Sequence, residues 1–419
     1  MKPKNMLSVL AVAALLVPWT VCGAALRIDQ VKQRYPWNGF VDIDYTVTDD
    51  SALGVDDNLE VLMVDKSVTP AVTNRAIRFL QAPLPLTAGS HRITWDTRGD
   101  GMTNYVADAE FHVKVVHYAP AYMVIDVSGG SATNCYPVDF LNGAPLNNFN
   151  ESTYKGDKIV LRFIRPGSYV AGSPKNESGR FEQVGPYTIL ESQHRVAISR
   201  PFYIGVFEVT QKQYENVVGV GTNPSKYTDT DANNYRPVDQ VSYTAAKNDF
   251  IGALLQKCMS KDSNGEYKIP VTGFDLPSEF QWEYACRAGT TKAINLTDDF
   301  DNTSAAEQKL ELNRAGCYLD NGGKTSYHVT VGSYEPNAWG LYDMLGNVWE
   351  WCRDYAAVDA ATLQQFADPE GPSTGSNRVR RGGSCACPAN QCRSAHRFQL
   401  APSGVGYDAG FRLSLTLPQ

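Results

Sequence analysis

The stretch that is most informative about the fold is Gly340–Cys352, which reads Gly-Leu-Tyr-Asp-Met-Leu-Gly-Asn-Val-Trp-Glu-Trp-Cys. The large rings of Trp349 and Trp351 favour burial, and Glu350 lies between them. Burying that carboxylate costs free energy unless a positive group meets it. The stretch therefore predicts a compact buried turn in which Glu350 contacts a metal ion or an arginine.

Several further motifs accompany this stretch along the chain. They are Arg200–Gly205, Glu208–Thr210, Asn223–Lys226, Pro237–Ser242, Leu276–Tyr284, Arg380–Ser384 and Gly410–Arg412. In this order the motifs resemble the formylglycine-generating enzyme family, also called the sulfatase-modifying-factor domain, over residues 160–415. The resemblance implies an α+β domain of the formylglycine-generating-enzyme fold, related to C-type lectins and low in regular secondary structure.

The region before this domain has a different pattern. Val41, Ile43, Tyr45 and Val47 alternate with polar residues, which is typical of a half-buried strand. Similar short runs separated by Gly- and Asp-containing turns predict an all-β sandwich domain over residues 25–118. Residues 119–158, rich in Gly and Asn, are predicted to be a linker to the domain at 159–419. The sandwich shows no catalytic pattern, so we interpret it as a spacer or docking module.

The first residues predict an exported protein. Residues 1–24 combine a basic start, a short apolar run and small residues, which is typical of a secretory signal peptide. Cys22 could indicate a lipoprotein, but Val21 before it favours ordinary cleavage near residues 23–25. We therefore expect a periplasmic or extracellular protein with no transmembrane segment after cleavage.

Charge and composition narrow the functional classes. A formal net charge of −7 over 419 residues, without a basic run, argues against nucleic acid as a partner. Eight cysteines follow the predicted signal peptide, and an even number permits disulfides in an oxidising compartment, although sequence does not define their pairing. These cysteines are Cys135, Cys258, Cys286, Cys317, Cys352, Cys385, Cys387 and Cys392.

Three helices are predicted in the C-terminal domain. Capping-box patterns at 210–213 and 278–281 begin two helices, which we expect to end at Val218 and before Gly289. Ser242 begins the third, whose expected buried residues are Phe250, Leu254 and Leu255. After Gly289 the chain is rich in Gly, Asn and Asp and is predicted to have little regular structure.

The central stretch also predicts a calcium site. Asp343 and Glu350 supply carboxylate oxygens, and the resemblance adds the carbonyls of Gly346 and Val348 as calcium ligands. A weaker second calcium site is implied at Asn313 and the carbonyl of Arg314. The alternative for Glu350 is an ion pair with an arginine, for which there are three candidates: Arg393, Arg397 and Arg412.

A cysteine cluster carries the possible chemistry. In active members of the family, cysteines at the third and eighth positions after Gly-Gly-Ser bind copper(I), a soft ion suited to thiolates. Counted from Ser384, these are Cys387 and Cys392. The resemblance also makes Ser384 an active-site residue and puts Trp349 beside the oxygen pocket. The implied activity is oxidation of a cysteine to formylglycine in an exported sulfatase.

A second interpretation competes with this one. The segment between Cys392 and Arg397 is shorter than in active members, so Cys392 can instead be a structural cysteine, near Cys352. Cys385 could also capture Cys387 or Cys392 in a disulfide. The chain would then be a non-catalytic, calcium-stabilised binding module that recognises a protein or a glycan.

Overall fold

A computed structural model describes residues 26–34, 38–48, 57–66, 72–76, 88–97, 109–117, 120–145, 149–182, 184–185, 187, 189–228, 235–296, 304–321, 327–363, 365 and 367–417. These residues form two compact units that meet in the sequence at Pro120 and Ala121. The predicted signal peptide, including Cys22, lies outside the described residues.

The first unit consists of antiparallel strands. They are β1 Leu26–Gln33, β2 Phe40–Val47, β3 Asp57–Asp65, β4 Val72–Ala76, β5 Gly89–Asp96 and β6 Ala109–His117. They pair as two sheets, with orders β1-β2-β5 and β4-β3-β6. The four alternating apolar residues of β2 are each at most 1% exposed, as the pattern predicts; they are Val41, Ile43, Tyr45 and Val47. Trp95 and Phe111, one from each sheet, meet edge to face at 6.5 Å, so both sheets contribute to one core.

The second unit is built on an eight-stranded sheet of order β14-β13-β8-β7-β9-β12-β20-β15. Its strands are β7 Tyr122–Asp126, β8 Tyr136–Leu141, β9 Lys158–Ile164, β12 Phe202–Gly205, β13 Cys258–Lys261, β14 Tyr267–Pro270, β15 Phe274–Asp275 and β20 Ser414–Thr416. In this sheet, β8 pairs with β13 in parallel, whereas the other neighbouring strands are antiparallel.

Two smaller sheets complete this unit. A two-stranded sheet pairs β10 Gly167–Ala171 with β11 His194–Ile198. A four-stranded sheet has the order β18-β17-β16-β19, and the site described below is built on it. Its strands are β16 Trp349–Tyr355, β17 Arg378–Arg381, β18 Phe398–Leu400 and β19 Ala409–Gly410.

The predicted linker at 119–158 is largely part of the second unit. It contains β7 and β8, which are adjacent strands of the eight-stranded sheet. Val124 and Ile125 are buried there, at 6% and 0% exposure. The turn-forming residues that suggested a linker instead lie between short strands, where they reverse the chain.

Helices in the second unit begin mostly where the sequence predicts. They are α1 Ser152–Gly156, α2 Gln211–Val218, α3 Tyr243–Ala245, α4 Gly252–Lys257, α5 Glu279–Arg287 and α6 Ala305–Ala315, with a π-helical turn at Ala246–Ile251 between α3 and α4. Both predicted capping boxes, before α2 and α5, are confirmed. None of the described helices has the length and apolarity needed to cross a membrane.

Two details of the helix prediction are wrong. Leu255 is 39% exposed, although Phe250 and Leu254 are buried as expected. The π-helical turn is wider than an α-helical turn, so it rotates the residues after it away from the predicted face. Helix α6 was not expected at all, although Ser304 and Glu307 form a third capping box before it.

Helix α5 holds the C-terminal segment in place through buried charges. Glu279 pairs with Arg397 at 2.8 Å, and Glu283 pairs with Arg287 at 2.7 Å. Glu283 also binds Arg381, at the end of β17. Buried charges are tolerated when they are paired in this way, so these contacts make the position of β17 and the residues after it specific.

The carboxylate of Asp354 on β16 predicts a pH dependence of stability. It accepts the N–H groups of Glu279 at 2.7 Å and Gly371 at 2.8 Å. Burial, together with the charge of Glu279, raises the pKa of Asp354 to about 6 from 3.8. The folded protein therefore keeps a proton that the unfolded chain loses, so this group makes stability fall as pH rises from about 4 to about 6.

Asp354→Asn should remove this part of the pH slope. The measurement is urea unfolding at pH 4, 5 and 6, with Asp126→Asn, at the partly exposed end of β7, as the matched control. An Asp354→Asn protein whose stability changes with pH as steeply as the wild type would contradict the assignment.

Candidate active site

Two glycines place Ser384 at the centre of the site. Strands β16 and β17 are antiparallel, with Glu350 opposite Arg381. Gly382 and Gly383 then reverse the chain with φ values of +94° and +77°. A Cβ atom on Gly383 would lie 2.5 Å from the Cys392 sulfur. Glycine is therefore required for this turn to pack directly against Cys392.

Ser384 joins a thiol to a carboxylate. Its Oγ donates to Oδ2 of Asp408 at 2.7 Å and lies 3.1 Å from Sγ of Cys387. Because the single hydroxyl hydrogen is directed at Asp408, the Cys387 S–H donates to the Ser384 oxygen. The result is a hydrogen-bonded chain from thiol to hydroxyl to carboxylate.

Trp349 lies next to the same thiol. Its side chain acts on the Cys387 thiol and partly offsets the rise that burial causes in the pKa of that thiol. The ring is 2% exposed and lies 4.8 Å from the ring of Phe398, measured between centroids. The start of β16 and the segment after β17 therefore bring Trp349, Ser384 and Cys387 together.

Cys392 approaches Ser384 from the other side. Its thiol donates to the Ser384 carbonyl at 3.7 Å. The thiols whose charges raise the pKa of Cys392 are Cys387, Cys317 and Cys385. Cys392 thus lies with Cys387 around Ser384. It also belongs to the same buried core cluster as Cys352, and its expected proximity to that residue stays a prediction.

Burial favours the protonated form of the thiols of the site. All eight cysteines of the described residues are free, so the expected disulfides are not seen there. Burial raises the pKa of Cys387 to about 11 and that of Cys392 well above the ordinary value. Two buried thiols beside one serine suit a soft cation, whose charge would favour the thiolate forms.

Two residues of this site were not predicted from sequence. Asp408 is half-buried and comes just before the Gly410–Arg412 motif. Arg380 on β17 is 4% exposed, and its charge interacts with Asp408 and Cys387. Arg380 is the first residue of the Arg380–Ser384 motif, and Asp408 lies just before the Gly410–Arg412 motif. Only the folded chain shows that both lie near Cys387 and Ser384.

A group of tyrosines lies beside the site, and we call Tyr227, Tyr327 and Tyr407 the tyrosine patch. The Tyr227 ring is 3.8 Å from the Tyr327 ring and 6.2 Å from the Tyr407 ring, between centroids. Tyr327 and Tyr407 are 38% and 42% exposed. The ammonium of Lys226 lies 5.0 Å from the rings of both Tyr227 and Tyr407. Exposed, mutually supported tyrosines are common in binding surfaces.

The partner of Glu350 is an arginine. Arg412 contacts both oxygens of Glu350 at 2.6 Å, and Trp282 Nε1 donates to the same carboxylate at 2.7 Å. Arg393 and Arg397, the other two candidates, pair with Glu191 and Glu279. Of the alternatives left open by the sequence, the ion pair with Arg412 is therefore present.

The surroundings of Glu350 do not fit the calcium ion predicted for this turn. Three donors already occupy Glu350, and a calcium ion there would lie beside a guanidinium. Asp343 accepts from the Gly332 N–H at 2.6 Å, while its buried Oδ1 has no partner in the described part of the chain. We therefore derive no step from calcium.

The ligands predicted for the second calcium site also have protein partners. Asn313 Oδ1 accepts from the Tyr318 hydroxyl at 2.9 Å. The carbonyl of Arg314 accepts from the Glu335 N–H at 2.9 Å, and its side chain pairs with that carboxylate. Within the described residues no group of three or more His, Cys, Asp or Glu side chains has metal-binding geometry.

The fold and the site together define an α+β domain with a buried serine between two thiols. Residues 148–417 match the sulfatase-modifying factor enzyme 1-like domain, and the chain belongs to this family. The family prediction from sequence is thus confirmed for the C-terminal domain.

Similar proteins with curated descriptions include two formylglycine-generating enzymes. The mouse enzyme is 34% identical over 33% of this chain and 38% of its own length. The enzyme of Thermomonospora curvata is 34% identical over 33% of this chain and 48% of its own length. The chain thus spans less than half the length of these relatives. The chaperone protein LppX of Paenibacillus barcinonensis is 27% identical over 51% of this chain and 79% of its own length.

Two solved structures resemble the chain in part. Treponema denticola variable protein 1 is 28% identical, with a TM-score of 0.47, and the match covers 62% of this chain and 96% of that protein. PvdO from Pseudomonas aeruginosa is 24% identical, with a TM-score of 0.47, and the match covers 62% of this chain and 94% of that protein.

Proposed function

We propose that the chain is an exported formylglycine-generating oxidase that converts a cysteine of a sulfatase-like protein to formylglycine, with copper(I) held by Cys387 and Cys392. The observation that carries this proposal is the placement of both thiols around Ser384, with Trp349 next to one of them. Their spacing from Ser384 also matches the pattern of active members. Export rests on residues 1–24 as a signal peptide.

The reaction has a simple balance. The methylene carbon of the substrate cysteine is oxidised to an aldehyde, and its sulfur leaves as hydrogen sulfide. Dioxygen is reduced by two electrons from that carbon and two from a pair of external thiols, which are joined as a disulfide. The remaining oxygen atom leaves as water. Bound copper(I) would supply affinity for the substrate thiolate and for dioxygen.

The residues of this chain have separable roles in the proposal. Ser384 orients Cys387, and its hydrogen bond to Asp408 gives the thiol proton a path toward a half-buried carboxylate. Trp349 and the buried walls around it exclude water from one side of the thiols. The tyrosine patch provides an exposed surface on which a protein substrate could lie.

A copper(I) titration of the reduced mature protein tests the proposal. We expect tight binding in the wild type and its loss in both Cys387→Ser and Cys392→Ser, because each variant removes one of two thiolate ligands. The matched control is Cys135→Ser, which removes a partly exposed thiol directly before β8 and should bind copper(I) as the wild type does.

The same titration distinguishes the oxidase from the second candidate function, a non-catalytic binding module. The tyrosine patch is the observation that favours a non-catalytic module that binds a protein or a glycan. If the wild type binds copper(I) no better than its Cys387 and Cys392 variants, the oxidase proposal is wrong and the binding module is favoured.

A further inference from the structure

Arg380 is a buried cation that forms no ion pair within the described residues. Its side chain is 4% exposed, and its Nε and Nη1 atoms are buried without a hydrogen-bond partner in the described part of the chain. Burial lowers its pKa to about 10. Burying an unpaired charge is costly, so such a group is expected to have a partner that a protein-only structure does not contain.

The other buried arginines in the described residues show which kind of partner Arg380 lacks. Each pairs with a glutamate carboxylate; they are Arg287, Arg381, Arg393, Arg397 and Arg412. Arg380 lies directly before one of them on β17. Asp408, whose charge acts on it, instead accepts the Ser384 hydroxyl. The fold therefore supplies a carboxylate for every buried guanidinium of this set except Arg380.

Aromatic rings surround the guanidinium of Arg380 and leave its N–H edge as the part that a ligand can bind. Its guanidinium carbon lies 4.8 Å from the ring centroid of Phe398, 5.2 Å from Trp351 and 5.7 Å from Trp349. Aromatic rings favour a cation over their faces but cannot accept its in-plane N–H bonds with the strength of a carboxylate. The N–H edge is thus the part of Arg380 that remains unsatisfied.

This edge lies at the candidate active site. A Cβ atom built on Gly406 would be 3.8 Å from Nη1 of Arg380 and 2.9 Å from Oδ1 of Asp408. The charge of Cys387 also acts on Arg380. Asp408 and Gly406 are only partly buried, so a ligand can approach from this side.

We propose that Arg380 binds a carboxylate of the ligand next to Cys387. A carboxylate matches the planar N–H edge of a guanidinium and would complete the pairing that the other buried arginines have. The preferred substrate is therefore a peptide with an acidic group close to its reactive cysteine. The inference rests on the proposed function only in taking the neighbourhood of Cys387 as the place of the ligand; it requires neither copper nor turnover.

Alkylation of Cys387 by two reagents tests this proposal. Iodoacetate and iodoacetamide both react with the thiolate by displacing iodide, but only iodoacetate carries a carboxylate. The ratio of their rates therefore cancels any change in the amount of thiolate. The rates are read by peptide mass spectrometry on the copper-free full chain, and Cys135 in the same sample is the internal control.

We expect the iodoacetate-to-iodoacetamide rate ratio at Cys387 to exceed that at Cys135 by about tenfold, the effect of one charge-assisted hydrogen bond. Arg380→Met should reduce it to the Cys135 value, whereas Arg380→Lys, which keeps the charge, should retain part of it. Equal ratios at the two cysteines in the wild type, or an unchanged ratio in Arg380→Met, would overturn the proposal.

A second measurement decides the question if neither reagent reaches Cys387. Acetate should raise the thermal midpoint of the wild type relative to chloride at the same ionic strength, and Arg380→Met should lose this difference. No acetate effect in the wild type, or the same effect in Arg380→Met, would refute the carboxylate site. Copper(I) binding is read separately, so failure of the oxidase proposal would not be confused with failure of this one.

Discussion

Arg412→Met should lower the free energy of unfolding of the C-terminal unit by about 3 to 5 kcal/mol, because it leaves a buried carboxylate without its counter-charge. Arg412 contacts both oxygens of Glu350 at 2.6 Å and donates to the carbonyls of Gly205 and Tyr342. The charges of Glu208 and Asp343 also act on this arginine. Removing it leaves these carboxylates facing one another.

Denaturant unfolding measures this loss. The matched control is Arg200→Met, whose pair with Asp368 is 3.6 Å long and 35% exposed on the arginine side, so it should cost less than about 1 kcal/mol. Adding Glu350→Gln to Arg412→Met should restore part of the stability because one unpaired charge is removed. A single variant no less stable than the Arg200 control would show that Arg412 does not neutralise this cluster.

Gly383→Ala should lower the free energy of unfolding and distort the thiol site. The new Cβ would lie 2.5 Å from Cys392 Sγ and 2.8 Å from the Gln391 carbonyl oxygen, at a φ of +77°. We expect about 1 to 2 kcal/mol of backbone strain and a further 1 to 3 kcal/mol from overpacking. Because Cys392 must move, copper(I) binding should weaken as strongly as in Cys392→Ser.

Gly265→Ala separates strain from the clash. Gly265 has a similar φ of +80°, but a Cβ there would have no atom within 4 Å. This control should show the backbone strain alone and bind copper(I) as the wild type does. Equal destabilisation of the two variants would mean that the turn tolerates a side chain against Cys392, contrary to the packing described above.

Much of the local structure follows from sequence because its causes are local. The capping boxes before α2 and α5 depend on residues three positions apart, and both are present as predicted. The alternation in β2 also predicts its buried face correctly. The capping box of Ser304 and Glu307 before α6 is likewise present in the sequence, although the surrounding region is rich in Gly, Asn and Asp.

The sequence alone thus determined the family and the residues around which the site is built. It could not choose between a metal ion and an arginine for Glu350, because Arg412 is 62 positions away and only folding brings it to 2.6 Å. The sequence also gave no reason to assign Arg380 or Asp408 to the site, because the role of each depends on the charges that surround it in the fold. Such choices depend on the electrostatics of a buried site, and that environment exists only in the tertiary structure.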